Sequence, residues 1–295
     1  MILNDITEEL RKTGKLAFRP THSPLDCTLP KAQQMPLSKD GYYEMTDDWN
    51  VDLQTRSTMS PITPEDKIIL FVGDSFTFGD GVKHKDTFCG QLQSKDFFKD
   101  YKIINIGIRG ASNDLITNIL SKWCNMYASQ IEYVIIGFSF CSRRVFYTEA
   151  SKSKYVYDGV TNISPGNWNS TIEEHKWLQD IYAATLILST EEMDNNNFER
   201  NVLLTKGLGK IHNFKTYWWS IEEHAWYGDQ NIDRLENNSE RIDDDDFKYI
   251  DIGKPFDEPP TPDYEQNYIS KEDRHWNESG HSIIADRIIK AIDEC

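Results

Sequence analysis

Lys67-Ile68-Ile69-Leu70-Phe71-Val72-Gly73-Asp74-Ser75-Phe76-Thr77-Phe78-Gly79 is the stretch on which the reading of this chain turns. Five consecutive apolar residues, rich in branched side chains, stop at a glycine and lead straight into an acid and a hydroxyl. An unbroken apolar run of this length predicts a strand covered on both faces, because a strand with one wet face alternates instead. Two similar, though not unbroken, runs follow, 102–106 ending at Gly107 and 131–136 ending at Gly137. The segments between them, about 87–98 and 112–127, have helical length and spacing. Strand, helix, strand, helix, strand predicts a parallel sheet joined by right-handed crossovers.

Further along, 171–189 and 198–206 read as helices and 215–219, Lys-Thr-Tyr-Trp-Trp, as a fourth strand. Trp218, Trp219 and Trp226 are expected to pack in the core or under a lid. The chain closes on an amphipathic helix: Asn277 suits its N-cap, Glu278 its first turn, and Ile283, Ile284, Ile288, Ile289 and Ile292 form its apolar stripe. Residues 1–66 carry prolines at 20, 24, 30, 36, 61 and 64 and show no sustained period, so they are expected to be an irregular arm packed on a core at 67–295. Residues 221–273 hold 17 acidic side chains against 5 basic ones, a net −12 of the chain's −16. With four successive aspartates at 243–246 and prolines at 259, 260 and 262, the segment 221–272 reads as an acidic, solvated insertion or lid.

The whole-chain charge opposes a nucleic-acid or anionic-membrane partner, since binding phosphates needs a basic face. No apolar run approaches the ~18 residues of a membrane helix. The acidic N-terminus lacks the pattern of a secretory signal, which predicts cytoplasmic synthesis, compatible with later release or assembly into a particle. Five scattered cysteines without a Cys-x-x-Cys pair read as reduced thiols. Neither the histidines nor the aspartate run has metal-ligand spacing, so no metal and no cofactor is expected.

In an open parallel sheet, ligands collect where strands end and helices begin. That rule selects Gly73–Gly79, Asn105–Gly110, Gly137–Phe140 and, before the last helix, Asp273-Arg274-His275-Trp276-Asn277. Together these loops hold a serine hydroxyl, glycine-lined turns, a carboxylate and a histidine. A serine needs a base within hydrogen-bond reach, and the base needs a carboxylate to set its tautomer. Asp273 and His275, two residues apart, can supply that pair, and backbone N–H groups at adjacent strand ends can face a developing alkoxide. Acyl transfer is the chemistry these parts fit.

In these residues the chain resembles the SGNH, or GDSL-type, hydrolases. Gly73-Asp74-Ser75-Phe76-Thr77-Phe78-Gly79-Asp80-Gly81-Val82 is similar to that family's first block, Asn105–Gly110 to its second, and Asp273–His275 with Trp276, Asn277, Gly280 and His281 to its last. The resemblance covers roughly 67–139 and 215–295. It implies a flavodoxin-like three-layer α/β/α fold with a central parallel sheet. It also implies Ser75 as nucleophile, His275 as base, Asp273 as its orienting carboxylate, and the Ser75 and Gly110 N–H groups as oxyanion donors. The third block departs from the pattern: where the family has Gly-x-Asn-Asp, this chain has Gly137-Phe138-Ser139-Phe140. Ser139 is the expected replacement donor, with Ser142 or Arg143 nearby as alternatives. His281, inside the last helix, is expected to be structural.

The expected activity is hydrolysis of a carboxylic ester, such as an O-acetyl group on a carbohydrate, through an acyl-serine. Two alternatives stay open. An O-acyltransferase would pass the same acyl group to a sugar hydroxyl, and a binding or particle-structural protein would keep the fold with weak catalysis.

Overall fold

The computed structural model describes residues 62–79, 81–108, 111–141, 143–147, 160–163, 190–221, 245–250, 252, 267–268 and 275–293. The N-terminal arm through residue 61, the expected helix at 171–189, Trp226 and most of the acidic segment lie outside them.

The apolar runs form strands at the expected places: β1 Lys67–Val72, β2 Tyr101–Asn105, β3 Ile131–Phe138 and, after a separate antiparallel hairpin of β4 Arg144–Tyr147 and β5 Val160–Ile163, β6 Lys215–Ser220. A further strand, β7 Phe247–Tyr249, completes a five-stranded sheet of order β2-β1-β3-β6-β7 in which every pairing is parallel. With the hairpin set aside, this is the 2-1-3-4-5 order of flavodoxin-like folds, whose chain reverses direction across the sheet between β1 and β3.

β7 lies inside the stretch read as an acidic insertion. Within that stretch Phe247, Ile250 and Ile252 are buried in the core. The charge count concealed it, because a short edge strand with a single core-facing phenylalanine leaves little apolar signal in a run of aspartates.

Strand side chains alternate between two cores. Ile68, Leu70, Val72, Val134, Ile136 and Trp218 face α3, Asn113–Tyr127, and α4, Glu191–His212, whose Leu115, Ile116, Ile119, Leu120, Trp123, Phe198 and Val202 close that side. Ile69, Phe71, Ile135, Tyr217 and Trp219 face the short α2, Phe88–Leu92, and the final α5, Glu278–Asp293, with Ile284, Ile288 and Ile292. Of the expected core or lid packing, both strand tryptophans take the core, and the structure puts them on opposite faces of the sheet. Three layers, α/β/α, result.

The helices begin where capping chemistry places them. Ser112 Oγ accepts from Leu115 N at 3.3 Å, Thr190 Oγ1 from Met193 N at 3.1 Å, and Asn277 Oδ1 from Gly280 N at 3.1 Å. The segment 87–98, read as one helix, is instead a single α-turn at 88–92 flanked by 3₁₀ turns at 84–86 and 96–98. Phe88, Leu92 and Phe98 are all buried, so the apolar spacing was real while the backbone between them is broken.

Candidate active site

β1 delivers Gly73 and Asp74 to the carboxyl edge of the sheet, and the chain turns at once into a one-turn helix, α1, Ser75–Phe78. Asp74 caps it, its Oδ1 accepting from Phe76 N at 3.1 Å, and Gly79 ends it with φ +82°, a value open to glycine without strain. The turn is held from β2: Asn105 Nδ2 donates to Thr77 O at 2.8 Å and Asn105 Oδ1 accepts from Gly107 N at 2.9 Å. A side chain at Gly107 would sit 2.4 Å from Phe78 N, so only glycine lets the two strand-end loops come this close.

Ser75, 3% exposed, lies at the topological reversal between β1 and β3. Its Oγ is 2.8 Å from His275 Nε2, across 200 residues of chain. The histidine arrives just before α5, and its ring lies 4.9 Å from that of Phe76. Trp276, buried beside it, meets Phe76, Phe88 and Trp219 edge-on or tilted at 5.0–6.4 Å and so fixes the loop against the core. The loop is fastened again by Asn277 N to Asn267 O at 3.0 Å and Asn277 Nδ2 to Tyr268 O at 3.0 Å. A ring nitrogen at this distance can take the hydroxyl proton as the oxygen attacks. The Ser75 N–H has no hydrogen-bond partner among the described residues.

The end of β3 is joined to the same place. Asn113, at the start of α3, grips Ser139 with both ends of its amide: Oδ1 accepts from Ser139 N at 2.7 Å and Nδ2 donates to Ser139 O at 2.9 Å. Ser139 Oγ donates to Asp74 Oδ2 at 2.8 Å, and Arg143 Nη1 donates to the same carboxylate oxygen at 2.7 Å and to Ser139 Oγ at 2.6 Å. The Ser139 hydroxyl hydrogen thus points to Asp74 rather than toward an oxyanion. This group of acid, hydroxyl and guanidinium, built on the residue before Ser75, was not legible in the sequence, where its members lie up to 69 residues apart. The Asn-to-Ser departure at 139, with Arg143 four residues on, was its only trace.

Of the other sequence-derived residues, Asp273, Gly110 and Ser142 lie outside the described residues. His281 is buried and accepts from Phe88 N at 3.3 Å through Nδ1, tying α5 to α2. Among the described residues no group of three or more His, Cys, Asp or Glu is arranged to hold a metal, and no helix is long and apolar enough to cross a membrane.

No protein-family model matches the chain, and no curated protein matches it. Solved structures do. A psychrotrophic esterase from Pseudoalteromonas sp. is 14% identical with a TM-score of 0.43, over 78% of this chain and 98% of that one. A catalytic mutant of an acetylxylan esterase from Geobacillus stearothermophilus is 12% identical with a TM-score of 0.43, over 79% and 95%. A GDSL-like lipase from Bacteroides thetaiotaomicron is 15% identical with a TM-score of 0.41, over 80% and 92%. The solved structures similar to this chain thus include GDSL-type and other ester hydrolases, while its own chemistry is read from its own residues.

Proposed function

We propose that this protein is a serine ester hydrolase acting through an acyl-serine on Ser75. The observation that carries the reading is the 2.8 Å approach of His275 Nε2 to Ser75 Oγ at the strand-end crevice of a parallel sheet. The hydroxyl oxygen attacks the ester carbonyl while its proton passes to Nε2. The imidazolium then protonates the departing alcohol oxygen, leaving the acyl group on Ser75. A water, deprotonated by the same nitrogen, attacks the acyl carbon and restores the serine. Asp273, by its place two residues before His275, is the carboxylate assigned to the imidazolium. The Ser75 and Gly110 N–H groups are the assigned oxyanion donors. Ser139, the third, serves only if its hydroxyl turns away from Asp74. A crevice of strand-end loops suits small acyl groups, so O-acetyl esters of carbohydrates are the substrates to try first.

The test is intact-mass analysis after treatment with a serine-directed fluorophosphonate, alongside turnover of p-nitrophenyl acetate. One adduct on the wild type, absent from Ser75→Ala together with the turnover, is expected. A folded protein that gains no adduct and shows no Ser75-dependent turnover would overturn the proposal.

A further inference from the structure

Resting on the serine-hydrolase reading, we propose that Arg143 is a positioning residue for the oxyanion side of the site, holding the Asp74, Ala111 and Ser139 loop ends together and neutralising Asp74. One nitrogen, Nη1, reaches Asp74 Oδ2 at 2.7 Å, Ser139 Oγ at 2.6 Å and Ala111 O at 3.3 Å. These three residues adjoin or occupy the three positions expected to frame the oxyanion. Asp74 precedes Ser75, Ala111 follows Gly110, and Ser139 stands where the resembled family has its asparagine. The guanidinium lies 4.8 Å from the centre of the Phe140 ring, and its side chain is 12% exposed, so it is held as well as holding.

The charge has a direct consequence for the chemistry. Asp74 is fully buried, and a carboxylate at that depth needs a compensating cation. It belongs to the residue before the nucleophile, so left alone it would oppose the negative charge that develops on the substrate oxygen during attack. Arg143 cancels that field. It also joins the β3 end to the β1 end, directly to Asp74 and through the Ser139 hydroxyl. A lysine carries the charge but lacks the planar guanidinium that both approaches Phe140 and sets its Nη1 among three acceptors.

The experiment measures the rate of fluorophosphonate addition to Ser75 by intact mass, with kcat and KM for p-nitrophenyl acetate. It compares wild type, Arg143→Met, Arg143→Lys and the double variant Asp74→Asn with Arg143→Met, each checked for folding by thermal melting. The expected result is a loss on the order of a hundredfold in labelling rate and kcat for Arg143→Met with KM little changed, comparable to losing an oxyanion donor. Arg143→Lys is expected to recover part of it. The double variant, which removes the buried charge with its partner, is expected to react faster than Arg143→Met alone. A purely structural role predicts the reverse, since the double variant loses still more contacts. Wild-type rates in Arg143→Met, or a double variant slower than the single one, would overturn the inference. If Arg143→Met does not fold, Arg143→Lys and the double variant carry the test: both slower than wild type is expected, and wild-type rates in both would overturn it. A wild type that takes no phosphonate overturns the hydrolase reading and this inference with it, whereas a labelled wild type with indifferent variants overturns this inference alone.

Discussion

At the scale of single residues, the site depends on polar side chains that hold backbone rather than substrate. Asn113 satisfies both the N–H and the C=O of buried Ser139. Asn113→Ala leaves that N–H and C=O without those partners, which should cost about 1–3 kcal/mol in denaturant unfolding and reduce turnover through loosening of the β3 end. His275→Ala should abolish p-nitrophenyl acetate turnover while leaving the melting temperature near that of the wild type, because the half-buried ring is braced by Phe76 and makes little of the core. Burial pushes the Cys124 thiol up to about 11. The thiolate is the reactive form, so in the folded protein at pH 8 this cysteine should resist iodoacetamide, and peptide mapping should find it modified only after denaturation.

At the scale of elements, β3 is the spine, paired with β1 on one side and β6 on the other. Its Gly137 is a packing requirement. A methyl group there would sit 2.3 Å from the Trp219 ring, so Gly137→Ala should destabilise by about 1–3 kcal/mol, read as a lowered urea midpoint with an unchanged slope. At the opposite end of the same strands, Glu132 accepts from Tyr101 Oη at 2.9 Å and pairs with Lys67 at 2.9 Å. Partial burial works against the Glu132 charge, yet these hydrogen bonds and the Lys67 charge outweigh it and hold the carboxyl below its ordinary value of 4.5. The folded state therefore keeps Glu132 ionised at pH values where the unfolded chain has protonated it. Stability drawn from the pair is complete above the ordinary value and drains away as the pH falls through the folded one. Glu132→Gln should be less stable than the wild type at pH 7, with the gap closing on acidification, as chemical denaturation across pH 7 to 3 would show.

For the whole molecule, a net charge of −16 sets a negative field around a crevice that must admit substrate. Neutral acyl esters should be hydrolysed in preference to carboxylated ones at low salt, and the difference should shrink as added salt screens the field. A carboxylated ester that turns over best at low ionic strength would contradict this. The architecture was legible in advance because a doubly covered strand is rich in consecutive apolar residues: β1 carries that signature in full, and β2, β3 and β6 carry shorter apolar or aromatic runs between polar residues. β7 was not legible, since three residues at a sheet edge are recognisable only beside the strand they pair with. Ser75 and His275 were legible through the rule that strand ends face the ligand. The Asp74, Ser139 and Arg143 group was not, because nothing local to any one of them names the other two.

By itself, then, the sequence determined the layer pattern, the strands at the centre of the sheet and the loops in which chemistry would be found, since these follow from hydrophobic periodicity and from turn and capping residues acting over short range. The tertiary structure alone decided which side chains meet. The strand order brings the end of β1 beside β3, and the fold brings His275 to Ser75, so a hydroxyl and an imidazole 200 residues apart come to 2.8 Å and a buried carboxylate finds its guanidinium. Distance along the chain says nothing of such contacts, because they are set by how parallel strands order themselves to bury two faces at once.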